Sequence, residues 1–451
     1  MQWKPIPHPT SPLKGEEPSL RKLNTPVQLE IKDATEDSWL KKLGPGLITG
    51  AADDDPSGIA TYSQAGAQFG LNVLWTVLFT YPLMVGIQVV SAKIGRVSGQ
   101  GLAKNIRQHY PSWLLYSIVG LLLIANTINI AADISAMGEA SSLLIGGPSH
   151  IYAVAFGLVS LVLQIFIPYS RYVRILKWLT LGLLAYVATM FVVDIPWIKV
   201  VTATAMPHMS WKPEYVTTIV AVFGTTISPY LFFWQASQEV EELQAHPLAR
   251  PLRIAPLQAA ANFKRIKVDT FIGMGFSNLV AFFIILTTAV TLNAHGVTDI
   301  QTSAQAATAL RPIAGEFAFL LFSAGIIGTG LLAVPVLAGS AAYAMADAFK
   351  WKTGLERKPS KAKKFYGIIA VSTVAGAALG FTPIDPIKAL YWSAVINGVV
   401  SVPIMVVMML MAARQDIMGQ FMITRRLTIL GWMATGLMGV AVAAMFVTMG
   451  R

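Results

Sequence analysis

The chain has 451 residues, 54% hydrophobic and only 13% charged, with a mean hydropathy of +0.58 and no cysteine. Soluble domains carry about a quarter charged residues, so this composition excludes an ordinary water-soluble domain and points to membrane spans; the lack of cysteine excludes disulfides, thiolate metal centres and cysteine nucleophiles. In such a chain the net charge of +11 reports which side of a membrane the basic residues occupy, not a nucleic-acid partner.

Residues 1–43 differ from the rest. Pro5, Pro7, Pro9, Pro12, Pro18 and Pro26 stand among Lys and Glu, with no apolar core of a signal peptide. This segment reads as a disordered cytoplasmic tail, leaving 44–451 as the transmembrane domain.

Eleven apolar stretches follow, each near the roughly 20 residues that a bilayer requires. They are 44–68, 71–94, 112–145, 149–169, 171–194, 214–243, 266–294, 313–348, 365–382, 386–412 and 427–449. With the N-terminus inside, inner segments hold 22 of the 34 Lys and Arg and outer segments 5, the tail holding the remainder. That asymmetry predicts the N-terminus cytoplasmic and the C-terminus outside; the expected location is a bacterial inner membrane.

Two of the stretches cannot run as continuous helices. In the first, Asp53, Asp54 and Asp55 interrupt an apolar run and are followed by Pro56-Ser57-Gly58. Proline removes a donor and disfavours helical geometry in the residue before it. Charge at membrane depth is tolerated only beside water, a partner or a cation. In the sixth, Gly224 and Ser228-Pro229 make a second break at mid-depth. Breaks five helices apart fit two inverted five-helix repeats with the substrate between the broken helices, the eleventh helix being an addition.

Freed carbonyls and a carboxylate, with no Lys or Arg in either break, make an oxygen-rich negative site that suits a cation. Three adjacent carboxylates argue for a divalent one. No His, Cys or Met lies in either break, so ligand softness favours Mg²⁺, Mn²⁺ or Ca²⁺ over Cu, Zn or Fe. Small residues at Gly58 and Ser228 leave room for an ion that keeps its waters.

Over 44–70 (GPGLITGAADDDPSGIATYSQAGAQFG) the chain resembles the Nramp family of divalent metal transporters. The resemblance implies an all-α membrane protein of the LeuT-type fold. The family motif runs Asp-Pro-Gly-Asn, its Asp, its Asn and a carbonyl three residues before the Asp binding metal. It therefore implies Asp55 and the carbonyl of Ala52 as ligands, with Gly58 at the Asn position. Asp54 is carried with this set; which of Asp53 and Asp54 also faces the ion stays open. The family's sixth-helix Met-Pro-His falls on Ser228, Pro229 and Tyr230, and its backbone ligand on Thr225. Loss of the Met is similar to the Nramp-related magnesium transporter branch.

The family's proton route uses Asp and Glu on the third helix and His on the sixth. Asp133 matches the Asp, but Ala136 and Gln235 stand at the Glu position and at a later His position. Glu139 lies six residues beyond Asp133, about 120° round the helix. Weak or absent proton coupling is therefore expected, with Asp133 either paired to a buried basic group or lining the pathway. Asn397 and Ser401 share a face of the tenth helix and are read as oxygens for bound water or as helix–helix hydrogen bonds. Gln64 and Gln68 likewise either line an outer vestibule or pack between helices.

The expected activity is secondary transport of a divalent cation by alternating access, Mg²⁺ first and Mn²⁺ second, with no cofactor. Two alternatives stay open: a proton-coupled Mn²⁺/Fe²⁺ transporter, and a Na⁺-coupled organic-solute transporter of the same fold. The six His lie in the tail or near loops, and no nucleophile motif or phosphate-binding loop supports an enzyme or an ATP-driven pump.

Overall fold

A computed structural model describes residues 45–167, 183–355, 357–381 and 385–450. The tail at 1–43 lies outside the described residues, as does the first half of the fifth apolar stretch, which is described only from 183 onward. Among the described residues every regular element is helical. In chain order the long ones are α1 (Pro45–Asp53), α2 (Pro56–Phe69), α3 (Trp75–Ser98), α4 (Ser112–Ile145), α5 (Ser149–Phe166), α6 (Pro213–Thr226), α7 (Pro229–Ala245), α8 (Ala259–Thr291), α9 (Ala318–Ala348), α10 (Lys363–Leu379), α11 (Pro386–Ala412) and α12 (Arg425–Met449).

Eight helices among the described residues are long and apolar enough to cross a membrane, the pair α6–α7 counting as one. The first predicted span, in pieces of 9 and 14 residues, is missed by that measure because three consecutive aspartates lie within it. The ninth, α10, has 17 residues. At 34 residues, α4 runs about 50 Å and overshoots a hydrocarbon core of roughly 30 Å, as its length in the sequence required.

Both breaks are built alike. Asp54 and Asp55 separate α1 from α2, and Ile227 and Ser228 separate α6 from α7. The second piece of each pair opens with proline, whose missing N–H costs nothing in a first helical turn. The residue before each proline is extended, Asp55 at φ −75°, ψ 170° and Ser228 at φ −78°, ψ 130°. The caps differ: the Asp55 carboxylate accepts from Gly58 N–H, whereas Ser228 caps nothing with its side chain.

Two contacts fix where the broken helices lie. A Cβ on Gly50 of α1 would stand 2.3 Å from the backbone of Gly273 on α8. A Cβ on Gly224 of α6 would stand 2.1 Å from the Ala394 carbonyl and 2.5 Å from Gly398 N on α11. Membrane helices associate through such small residues because lipid supplies no hydrophobic drive. Backbone atoms cannot swing aside, so Gly224→Ala is expected to force α6 off α11. The expected result is a loss of properly assembled protein, of the order of 1–3 kcal/mol or more in stability, read as a lowered thermal midpoint in detergent.

The end of the bundle bearing the basic loops is tied by charge. Gly46 N–H, at the start of α1, donates to Asp269 on α8 at 2.6 Å. Glu239 of α7 is buried and meets Arg265 of α8 at 2.5 Å; Arg265 also meets Glu242 at 3.0 Å, and Arg96 of α3 lies 3.8–3.9 Å from both acids. Glu241 instead accepts from the Tyr343 hydroxyl and from Leu355 N–H. These glutamates are therefore held in place by their partners.

Candidate metal site

The three consecutive aspartates are fully buried, and they part company at the break. Asp53 and Asp54 turn to α8, where the Ser277 hydroxyl lies 2.6 Å from Asp53 Oδ2 and 3.0 Å from Asp54 Oδ1. The other oxygen of each, Asp53 Oδ1 and Asp54 Oδ2, has no hydrogen-bond partner among the described residues. Asp55 turns the other way. Its Oδ1 accepts from Gly58 N–H at 2.8 Å and from the Ser57 hydroxyl at 2.6 Å. Its Oδ2 accepts from the Asn129 amide of α4 at 3.1 Å and from the Tyr230 hydroxyl of α7 at 3.3 Å. Asn129 is in turn oriented by the Ser393 hydroxyl of α11, which donates to its Oδ1 at 2.7 Å.

The Tyr230 hydroxyl also lies 3.2 Å from the carbonyl oxygen of Ala52. One phenol thus sits between the two oxygens expected to bind an ion. Across the site, the Ser228 hydroxyl turns back onto its own helix end, 2.7 Å from the Thr225 carbonyl and 3.0 Å from that of Gly224. A Cβ on Gly58 would stand 3.2 Å from Thr225 Oγ1 and 3.5 Å from the Asp53 carbonyl oxygen, so Gly58 faces the second break directly. The structure therefore brings Ala52, Asp55, Gly58, Thr225, Ser228 and Tyr230 together at the crossing of the two breaks. It turns Asp54, counted among the candidate ligands, toward Ser277.

All polar atoms in this cluster are oxygen or amide nitrogen. Among the described residues no group of three His, Asp or Glu side chains could hold a metal by itself. A cation here would be held by one carboxylate with carbonyl and hydroxyl oxygens. Both Tyr230 contacts are long, and they satisfy Ala52 and Asp55 when no cation does. Tyr230→Phe is expected to destabilise the ion-free protein by about 1 kcal/mol and to tighten cation binding several-fold, as titrated by isothermal calorimetry. Weaker binding would mean that the hydroxyl is itself a ligand.

The pathway residues separate. Asp133 of α4 is buried near Asp55 and Tyr230, and neither of its carboxylate oxygens has a hydrogen-bond partner among the described residues. The buried basic partner considered for it is not found among the described residues. Glu139 is half-buried and accepts from Ser303 N–H at 3.2 Å, away from Asp133. Gln235 ties α7 to α1, its Oε1 accepting from the Thr49 hydroxyl at 2.5 Å. Ser401 bonds its own helix at Gly398, 2.8 Å away, while the Asn397 amide is buried with both polar atoms unpartnered among the described residues. Neither makes the helix–helix hydrogen bond considered for them.

Gln64 and Gln68 line a cavity of about 340 Å³ with Glu214, Thr217, Asp299 and Tyr391, at the end opposite the Arg96–Glu239 cluster. Asn129, Ser277 and Ser393 are site residues that sequence reasoning missed. Asn129 had a signal: Asn126, Asn129 and Asp133 make a polar stripe in an otherwise apolar helix. Ser277 had none.

Two broken helices crossing at a buried polar centre, within a bundle of apolar helices, define a membrane transporter and not an enzyme. Comparison with known proteins agrees. The model of the Nramp family, "Natural resistance-associated macrophage protein-like", matches residues 46–448. The chain is 26% identical over 401 residues to the divalent metal cation transporter MntH of Deinococcus radiodurans, covering 86% of each. It is 26% identical over 406 residues to MntH of Klebsiella pneumoniae strain 342, covering 87% of this chain and 90% of the other. The fold superposes on a crystal structure of the Eremococcus coleocola manganese transporter with a TM-score of 0.68 at 17% identity, covering 91% and 88% of the two chains. It also superposes on Mhp1, a nucleobase-cation-symport-1 family transporter, with a TM-score of 0.54 at 12% identity, covering 90% and 92%. This chain belongs to the Nramp family, and its fold is LeuT-type.

Proposed function

We propose that this protein carries a hard divalent cation across the membrane by alternating access, Mg²⁺ first and Mn²⁺ second, with weak or no coupling to protons. The observation that carries the reading is the donor set. The Asp55 carboxylate and the Ala52 carbonyl converge on one point from the first break. The Thr225 carbonyl and the Ser228 hydroxyl stand at the second. No sulfur or imidazole belongs to that set, and hard oxygen ligands suit Mg²⁺ and Mn²⁺. The relatives named above as metal cation and manganese transporters support a divalent metal as cargo.

The test is uptake into proteoliposomes of Mg²⁺, Mn²⁺ and Ca²⁺ with a pH-sensitive dye inside. Mg²⁺ entry without acidification supports the proposal. A proton-coupled manganese transporter is the second reading. It is favoured by Asp133, a buried carboxylate beside Asp55 without a partner and so free to take up a proton. Mn²⁺ entry with acidification and no Mg²⁺ entry would select it.

The reading puts the protein in a bacterial inner membrane, and its N-terminus on the cytoplasmic side because positive charge is retained there. The chain has no cysteine, so single cysteines report sidedness directly. Lys361→Cys and Lys388→Cys are both at exposed positions. In intact cells a membrane-impermeant maleimide is expected to label the second and spare the first. The reverse pattern would invert the topology.

A further inference from the structure

On the face that carries the basic loops, α3, α8 and the segment leading into α12 enclose a cavity of about 230 Å³ that the transport site does not use. Lys93 of α3 and Lys267 of α8 both line it, and none of its lining residues is acidic. Lys93 is only 6% exposed. Its ammonium lies 4.4 Å from the centroid of the Phe263 ring and makes no ion pair among the described residues. Lys267 is close enough to repel it. Two like charges sharing a partly enclosed space, one of them buried without a counter-charge, is a costly arrangement unless an anion completes it.

A third feature points the same way. Thr424 lines the cavity and immediately precedes the 25-residue α12, and its side chain makes no capping hydrogen bond. The first amides of α12, at the positive end of the helix dipole, therefore lack a side-chain acceptor there. Helix N-termini of this kind bind phosphate. Apart from Gln420, the remaining walls, among them Ile266, Phe421 and Leu427, are apolar. Beyond them α12 continues into the exposed apolar side chains Ile429, Trp432 and Met433. A free inorganic anion would leave those walls unmet. A phosphate joined to a glycerol backbone and acyl chains would meet both parts.

We infer that this cavity binds the phosphate of an acidic phospholipid, its headgroup between Lys93, Lys267 and the start of α12 and its acyl chains along α12. The test uses the full-length protein in nanodiscs of phosphatidylcholine containing phosphatidylglycerol, with bound lipid counted by mass spectrometry after washing. Lys267 is exposed, so Lys267→Gln should fold normally. It is expected to retain about fivefold less phosphatidylglycerol, and the Lys93→Gln/Lys267→Gln pair less again, at about fivefold for each lysine removed. Lys363→Gln/Lys364→Gln, on another basic segment, should retain the wild-type amount. Equal retention by Lys267→Gln and wild type would overturn the inference, as would an equal loss in the Lys363/Lys364 pair. Thermal unfolding separates the two sources of phosphate. A rise in midpoint with phosphatidylglycerol alone supports a lipid, and an equal rise with inorganic phosphate in plain phosphatidylcholine overturns it.

Discussion

Asp55→Asn is expected to abolish cation uptake while the protein still folds and reaches the membrane. The side chain at 55 has two jobs, and this substitution separates them. It caps α2 through Oδ1, which accepts from Gly58 N–H and the Ser57 hydroxyl. Asparagine caps a helix as well as aspartate does. Its amide nitrogen then faces the Asn129 amide, which has to turn over at a cost of about 1 kcal/mol. The charge is what disappears, and Asp55 is the one carboxylate turned toward both the Ala52 carbonyl and the second break. Removing one member of a buried charge pair costs roughly 3–5 kcal/mol, a factor of a hundred or more in affinity. The measurement is Mg²⁺ uptake normalised to reconstituted protein, beside a size-exclusion profile. Normal uptake with a normal profile would remove Asp55 from the site. An aggregated profile would mean that the cap contributes more than its hydrogen bonds suggest.

Ser228→Met is expected to move the preference toward softer ions. The Ser228 hydroxyl is spent on the Thr225 and Gly224 carbonyls, and the residue is buried where α6 gives way to α7. A thioether there releases both carbonyls and adds a polarizable ligand, which favours Mn²⁺ and Cd²⁺ over Mg²⁺. The larger side chain also overfills the space, at about 1–3 kcal/mol. Absolute rates will therefore fall for every ion, and the informative quantity is the ratio. The Mn²⁺ to Mg²⁺ uptake ratio should rise at least about tenfold, since one ligand contact worth about 1.4 kcal/mol to one ion alone is enough for that. An unchanged ratio would mean that residue 228 never faces the ion.

The breaks were legible because proline and aspartate leave little choice at membrane depth. Pro56 and Pro229 each open the second half of a broken helix, as their position predicts. The helix pattern was legible for a similar reason, since each span needs its own apolar run. How a run of identical residues divides its work was not legible. Asp53, Asp54 and Asp55 have the same chemistry, and only the turn geometry sends two of them to Ser277 and one to Asn129 and Tyr230. Contacts such as Gly46 to Asp269 also left no trace, because 223 positions separate the partners and neither stands out alone. The ties among Arg96, Glu239, Glu242 and Arg265 were obscured in the same way: charge near a helix end looks solvated until its partner is located.

The triplet has a consequence for length changes in this segment. Because residues 53–55 are identical, deleting any one of them gives the same protein, still with an Asp directly before Pro56. The proline selects whichever Asp precedes it, so the cap and the carboxylate proposed as ligand would survive the deletion. What would change is the phase of everything upstream. α1 would be drawn about 1.5 Å along its axis and turned by about 100°, carrying Gly46 away from Asp269 and Gly50 away from Gly273. Such a chain would keep the carboxylate proposed to bind the ion on a helix that no longer seats against its neighbour. The number of aspartates is thus a spacer setting, and the ligand chemistry is indifferent to it.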